Sequence, residues 1–135
     1  MATRADVTRI ALSMPGAEKA VDRFAFGVRI KGKLKAFAWV WMERVVPKKP
    51  RVPNPRVLAV RVATLAEKER LLDEHRKELF TEPHYEGFPA VLVRLDLVRI
   101  PMLRSLLTEG WRCRASADLR LNAPSPRKRR RSRHV

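Results

Sequence analysis

Phe24-Ala25-Phe26-Gly27-Val28-Arg29-Ile30-Lys31-Gly32-Lys33-Leu34-Lys35-Ala36-Phe37-Ala38-Trp39-Val40-Trp41-Met42 is the stretch that decides the fold. Phe24, Phe26, Val28 and Ile30 recur at every second position, with Arg29 and Lys31 on the opposite phase. That is the pattern of a strand with one buried face. Lys31-Gly32-Lys33 supplies a hairpin turn, because glycine admits the positive φ that tight turns require. Residues 34–42 then read as a longer strand that is apolar on both faces. Strict alternation predicts Phe37, Trp39 and Trp41 on one face and Ala36, Ala38 and Val40 on the other, so this strand belongs in the middle of a sheet.

Outward from this hairpin the remaining elements follow. Upstream, Thr3 and Asp6 precede Val7, Ile10, Ala11 and Met14, a capped amphipathic helix that stops at Pro15-Gly16. Downstream, Pro47, Pro50, Pro53 and Pro55 predict a loop over residues 44–56, since proline lacks the N–H that a ladder needs. Residues 57–62 form a third strand. Thr64 with Glu67 reads as a capping box opening a helix that continues to about Leu79 and presents a solvated face of mixed charge. Residues 90–95 form a fourth strand. Pro101, Leu103, Leu106, Leu107 and Trp111 mark a last amphipathic helix, on which Cys113 is expected as a small buried hydrophobe. The order of elements predicts an α+β fold, one antiparallel sheet with helices packed on one face. A single domain over residues 1–122 is followed by residues 123–135, whose lack of apolar side chains before Val135 predicts disorder.

Charge is distributed unevenly. The 135 residues hold 30 Lys and Arg against 14 Asp and Glu, a net of +16. Residues 29–56 carry +8 and residues 123–135 carry +6, whereas residues 57–122 hold 11 basic and 10 acidic side chains. An arginine-rich genome would raise the charge everywhere, so the clustering points to a polyanion, with DNA the leading partner. The candidate phosphate contacts are Arg29, Lys31, Lys33, Lys35, Lys48, Lys49 and Arg51 in the first segment. Arg127, Lys128, Arg129, Arg130 and Arg131 are those of the tail. Trp39 and Trp41 could stack on bases, although their spacing favours core packing.

Four stretches resemble the MmcQ/YjbR family of small bacterial proteins. They are Met14-Pro15-Gly16; Lys31-Gly32-Lys33-Leu34-Lys35-Ala36-Phe37-Ala38; Pro83-His84-Tyr85-Glu86-Gly87-Phe88-Pro89-Ala90-Val91-Leu92-Val93-Arg94-Leu95; and Leu103-Arg104-Ser105-Leu106-Leu107 leading to Trp111-Arg112. The resemblance implies a CyaY-like (frataxin-like) sandwich and DNA contact through two wings. It does not extend to Ala115-Ser116-Ala117 or to the arginine tail. Frataxin holds iron through acidic side chains, but the matching region here offers only Asp6, Glu18 and Asp22 among four basic residues. No metal site, cofactor or catalytic motif is expected, and the chain reads as non-enzymatic. No apolar run has the length of a signal peptide or membrane span, which predicts a cytoplasmic protein, nucleoid-associated if it binds DNA. The alternative reading is an interaction or small-ligand module whose site lies at the loop holding His84 and Tyr85.

Overall fold

The computed structural model describes residues 2–43, 50 and 52–115. Helix α1 (Arg4–Leu12) is followed by strands β1 (Ala17–Lys19), β2 (Ala25–Ile30), β3 (Lys33–Glu43) and β4 (Val52–Arg61). Helix α2 (Leu65–Glu74), strands β5 (Leu79–Phe80) and β6 (Ala90–Arg94), and helix α3 (Ile100–Arg114) complete the chain. The six strands form one antiparallel sheet in the order β1-β2-β3-β4-β6-β5. Val7, Ile10 and Ala11 of α1, Leu71 and Leu72 of α2, and Leu103, Leu106, Leu107 and Trp111 of α3 join one apolar core with Phe26, Val28, Leu58, Val60, Val91 and Val93. The helices therefore cover one face, as the α+β reading expects.

The local chemistry of the first helix follows the sequence closely. Thr3 Oγ1 accepts from the Asp6 N–H at 3.1 Å, and Asp6 Oδ2 accepts from the Thr3 N–H at 2.9 Å, a complete capping box. The hairpin turn is Lys31-Gly32, with φ of 51° and 82°. Positive φ at both central residues is the type I′ geometry that matches the twist of its strands.

Alternation fails in β3. Phe26 pairs with Ala38 while Gly27 pairs with Ala36, so Phe37 is an extra residue, a β-bulge. The bulge places Phe37 and Ala38 together in the helix-side core and turns Trp39 and Trp41 to the other face. Gly27 makes this possible, since a Cβ there would stand 2.4 Å from the Lys35 carbonyl oxygen.

Four other expectations need correction. Pro53 and Pro55 lie inside β4, not in a loop: β6 pairs only from Val57 onward, so no second partner asks for their missing N–H groups. The skip from Trp41↔Asn54 to Val40↔Leu58 absorbs residues 55–57 as a second bulge. Helix α2 ends at Glu74 and Leu79 is a strand residue instead, paired with Val93. Its capping box is only half formed, because the Glu67 carboxylate accepts from Arg70 and Thr64 alone bonds the helix end. Cys113 is exposed. It stands at the flank of α3's buried stripe, whose centre in that turn is taken by Arg114.

Gly27→Ala is expected to lower stability by about 2–3 kcal/mol, as overpacking against backbone does. Gly32→Asn, at a position with open space around it, should cost under about 1 kcal/mol because Asn tolerates positive φ. Urea melts of the two variants check the contrast.

Candidate nucleic-acid interface

Lys31, Lys33 and Lys35 are exposed, and none makes an ion pair among the described residues. Lys33 pairs with Ile30 and Lys35 with Val28, so both ammonium groups share one face of the hairpin arm. Arg29 is on the opposite face and is engaged. Its guanidinium donates to Glu18 Oε1 at 3.1 and 3.3 Å and to the Gly32 carbonyl at 3.1 Å, bracing the turn. The structure thus gathers the three lysines and sets Arg29 apart from them as a strut.

Lys48, Lys49 and Arg51 lie outside the described residues, as do Arg127, Lys128, Arg129, Arg130 and Arg131, the proposed boundary at residue 122 and the tail itself. The roots of both segments are described. The segment 44–51 leaves β3 at Glu43 and returns at Val52, a directly paired position. Lys33 and Glu43 are the two ends of β3, ten steps of roughly 3.3 Å apart before bulging shortens the path, or about 30 Å. The C-terminal segment departs instead from beside the hairpin, where Arg114 Nε donates to the Ala36 carbonyl at 3.2 Å and Ala115 is buried in the core. Two basic segments far apart in sequence are therefore rooted at one end of the sheet, and the proline-rich segment at the other.

The second face of the sheet carries its own small core. Trp41, Val57, Ala59 and Leu92 pack there with Trp39, Phe80 and Tyr85. Trp39 donates its indole N–H to the Tyr85 hydroxyl at 2.8 Å, and Trp41 meets Phe80 edge to face with centroids 6.1 Å apart. Both tryptophans thus take part in packing on this face, Trp41 buried and Trp39 half-buried. His84 occupies the middle of a 3-10 turn, Pro83–Tyr85, and Tyr85 ties that turn to the sheet.

Sequence reading missed the residue that holds this loop down. Lys68 is 5% exposed, and its ammonium donates to the Tyr85 carbonyl at 2.6 Å and the Phe88 carbonyl at 2.9 Å. The signal was present: Lys68 stands three and four residues before Leu71 and Leu72, on the apolar stripe of α2 and not on its charged face. Desolvation lowers its proton affinity, against a smaller opposing pull from Glu86.

The three acids matched to frataxin's iron-binding region are each occupied. Asp6 accepts from Thr3 and Arg9, Glu18 from Arg29, and Asp22 from Arg23. The Thr3 backbone N–H, then Arg9, hold the Asp6 carboxyl below its ordinary range. Among the described residues no three or more His, Cys, Asp or Glu side chains gather into a potential metal site, and no helix is long and apolar enough to cross a membrane.

No established family profile matches the chain. It is similar to the uncharacterised protein Mb2600 of Mycobacterium bovis, 34% identical over an alignment of 129 positions that covers 88% of this chain and 93% of the relative. The Mycobacterium tuberculosis proteins MT2646 and Rv2570 match it to the same extent. In fold it is similar to the Deinococcus radiodurans protein DR2400, a DUF419 domain, with a TM-score of 0.60 over 82% of this chain and 76% of that one at 20% identity.

Lys68→Met, which leaves two carbonyls without their charged donor, is expected to lower stability by about 2–3 kcal/mol in a urea melt. The pH dependence has a definite sign. Below 10.5 the unfolded chain holds a proton on Lys68 more tightly than the folded one does, so wild type should gain stability relative to Lys68→Met as pH rises toward that value.

Proposed function

We propose that this chain, which belongs to the family of the mycobacterial proteins Mb2600, MT2646 and Rv2570, is a non-enzymatic DNA-binding protein. It would hold duplex DNA by its phosphates, as the MmcQ/YjbR resemblance implies, and the fold it shares with a DUF419 domain is compatible with that assignment. The observation that carries the reading is the hairpin arm. Three exposed lysines without acidic partners among the described residues project from a stiff two-residue turn, and nearby Glu18 is taken up by Arg29.

The turn adds a second argument. Lys31 holds φ of 51°, where a side chain other than Gly, Asn or Asp costs roughly 1–2 kcal/mol. A residue kept at such a position against its backbone preference is a candidate for function. Its ammonium stands at the tip of the arm, the first point a backbone phosphate would meet.

Duplex is favoured over single strand, because the tryptophans are already packed and a stacking platform is what single-strand binders use. Roughly 30 Å between the hairpin and the root of segment 44–51 is close to one turn of B-DNA, about 34 Å. Two wings at that spacing would reach phosphates a turn apart along one side of a duplex. Binding of this kind is electrostatic and largely indifferent to sequence.

Fluorescence-anisotropy titration of duplex DNA tests the reading. With six or more phosphate contacts, affinity should fall about 10³-fold between 50 and 200 mM salt, and a flat salt response would refute it. A chain ending at Asn122 should keep a clear but smaller slope, since it retains the hairpin and the segment 44–51. A duplex of about 8 base pairs should bind much more weakly than one of about 16, because it can engage only one wing. Lys31→Asn should raise folding stability by about 0.5–1 kcal/mol while reducing DNA affinity, a split that a merely structural lysine would not produce.

A further inference from the structure

The hairpin arm runs past the strands on both sides of it. On one flank β1 reaches only as far as Ala17↔Val28, and on the other the β3–β4 ladder ends at Ala38↔Val60. The pairs Arg29↔Leu34 and Ile30↔Lys33 and the Lys31-Gly32 turn therefore form a two-stranded ribbon with no third strand among the described residues. Such a ribbon holds its shape poorly in water unless side chains anchor it. On the helix side the anchor is Ile30, which packs against the main core.

On the opposite side the anchor is polar. Gly27 pairs with Glu18 of β1. Arg29 follows Gly27 by two residues on the same face, which makes Glu18 and Arg29 diagonal neighbours within reach of long side chains. Arg29 Nε and Nη2 both donate to Glu18 Oε1, at 3.3 and 3.1 Å, while Nη1 donates to the Gly32 carbonyl at 3.1 Å. One guanidinium thus joins the outermost strand of the sheet to the backbone of the turn. Its planar fork fixes both directions at once, which a lysine ammonium, a point charge on a flexible stem, would not do. Arg29 is 50% and Glu18 46% exposed, so the pair contributes little to folding as a whole. Its effect is local, setting where the tip of the arm stands relative to the sheet.

We propose, on the basis of the DNA reading, that Glu18, although an acid, raises the arm's affinity for backbone phosphate by holding Arg29 in place. Glu18 and Arg29 are positioning residues, and Lys31, Lys33 and Lys35 are the contacts. Two opposing effects decide the outcome. A unit charge acting over roughly 10 Å of water changes affinity by about a factor of two, and this is the scale on which Glu18 repels a phosphate. Against it, an arm free to swing must be ordered on binding, and ordering at an interface costs about three- to tenfold in affinity for each group immobilised. A turn already fixed by Arg29 avoids that loss, so positioning outweighs repulsion. The arm's direction also sets its separation from the segment 44–51, on which two-wing binding depends.

Duplex titration by fluorescence anisotropy at one fixed salt concentration tests this with Glu18→Gln, Arg29→Gln and the double variant of the whole protein. Glu18→Gln raises the net charge by one, yet it should lower affinity about three- to tenfold. In the Arg29→Gln background the same substitution should raise affinity about twofold, because the acid then has nothing to hold and only its charge remains. That reversal of sign separates positioning from a plain charge effect and from a loss of folding, each of which acts in one direction in both backgrounds. Higher or unchanged affinity on Glu18→Gln in the otherwise wild-type chain overturns the proposal, as does an equal loss in both backgrounds. Amide hydrogen exchange at residues 31–34 of the free protein supplies a readout that needs no DNA. Glu18→Gln should speed exchange several-fold there and leave the core strands unchanged, and unchanged exchange in the arm overturns the strut. Wild-type protein without salt-dependent binding to duplex refutes the DNA reading and the affinity role of Glu18 with it, and the exchange result keeps that failure distinct from failure of the strut.

Discussion

The close approach of Gly27 to the Lys35 carbonyl is the constraint on which the rest of the structure depends. Because no side chain stands between them, β3 can carry an extra residue at Phe37 opposite an unbroken β2. That residue puts Phe37 beside Ala38 under the helices and shifts Trp39 and Trp41 to the far face. Without the bulge, all three aromatics would share one face and the other would have only small side chains to bury. With it, the sheet has a large core beneath α1 and α3 and a smaller one beneath the loop that Lys68 ties down. The bulge also places Ala36 beyond the end of the β3–β4 ladder, where Arg114 takes up its carbonyl.

The same strand distributes the charge. Both ends of β3 open into basic segments, and its length, not any side-chain contact, sets the distance between them. At the hairpin end the positive groups differ in kind. Lys31, Lys33 and Lys35 are solvated point charges on flexible stems, suited to meet a phosphate wherever it happens to lie. Arg61 and Arg114 are partly buried and held by a ring contact and a backbone carbonyl respectively. Flexible cations attract over a range set by salt, about 10 Å at 0.1 M.

Much of this was legible in the chain. The Thr3–Asp6 capping box, the Lys31-Gly32 turn, the long central strand and the buried stripe of α3 each rest on short-range chemistry that a sequence displays. What escaped was set by tertiary context. Strands β1 and β5 have three and two residues, too few for a period to register. Pro53 and Pro55 sit in a strand because β6 stops short of them, a fact about a partner 40 residues away. Trp39 and Trp41 were expected to pack on the same face as Phe37 and pack on the opposite one, because the bulge left no mark in the pattern except Gly27. Of the candidate phosphate contacts, Lys31, Lys33 and Lys35 stand exposed together while Arg29 is drawn off by Glu18, a residue whose strand could not be seen in advance.

Arg61, Lys68 and Arg114 share one reason for being missed. A charged residue inside an apolar pattern reads as an interruption of that pattern, and the usual inference is that the element turns it outward. Here each remains on or beside a buried surface because the backbone around it leaves something to satisfy: two loop carbonyls for Lys68, the Ala36 carbonyl for Arg114. Arg61 is the exception, with a buried N–H that nothing among the described residues accepts. A buried donor left unmade costs about 1–3 kcal/mol, and the Trp41 indole N–H, packed on the same face of the sheet, is a second such donor among the described residues.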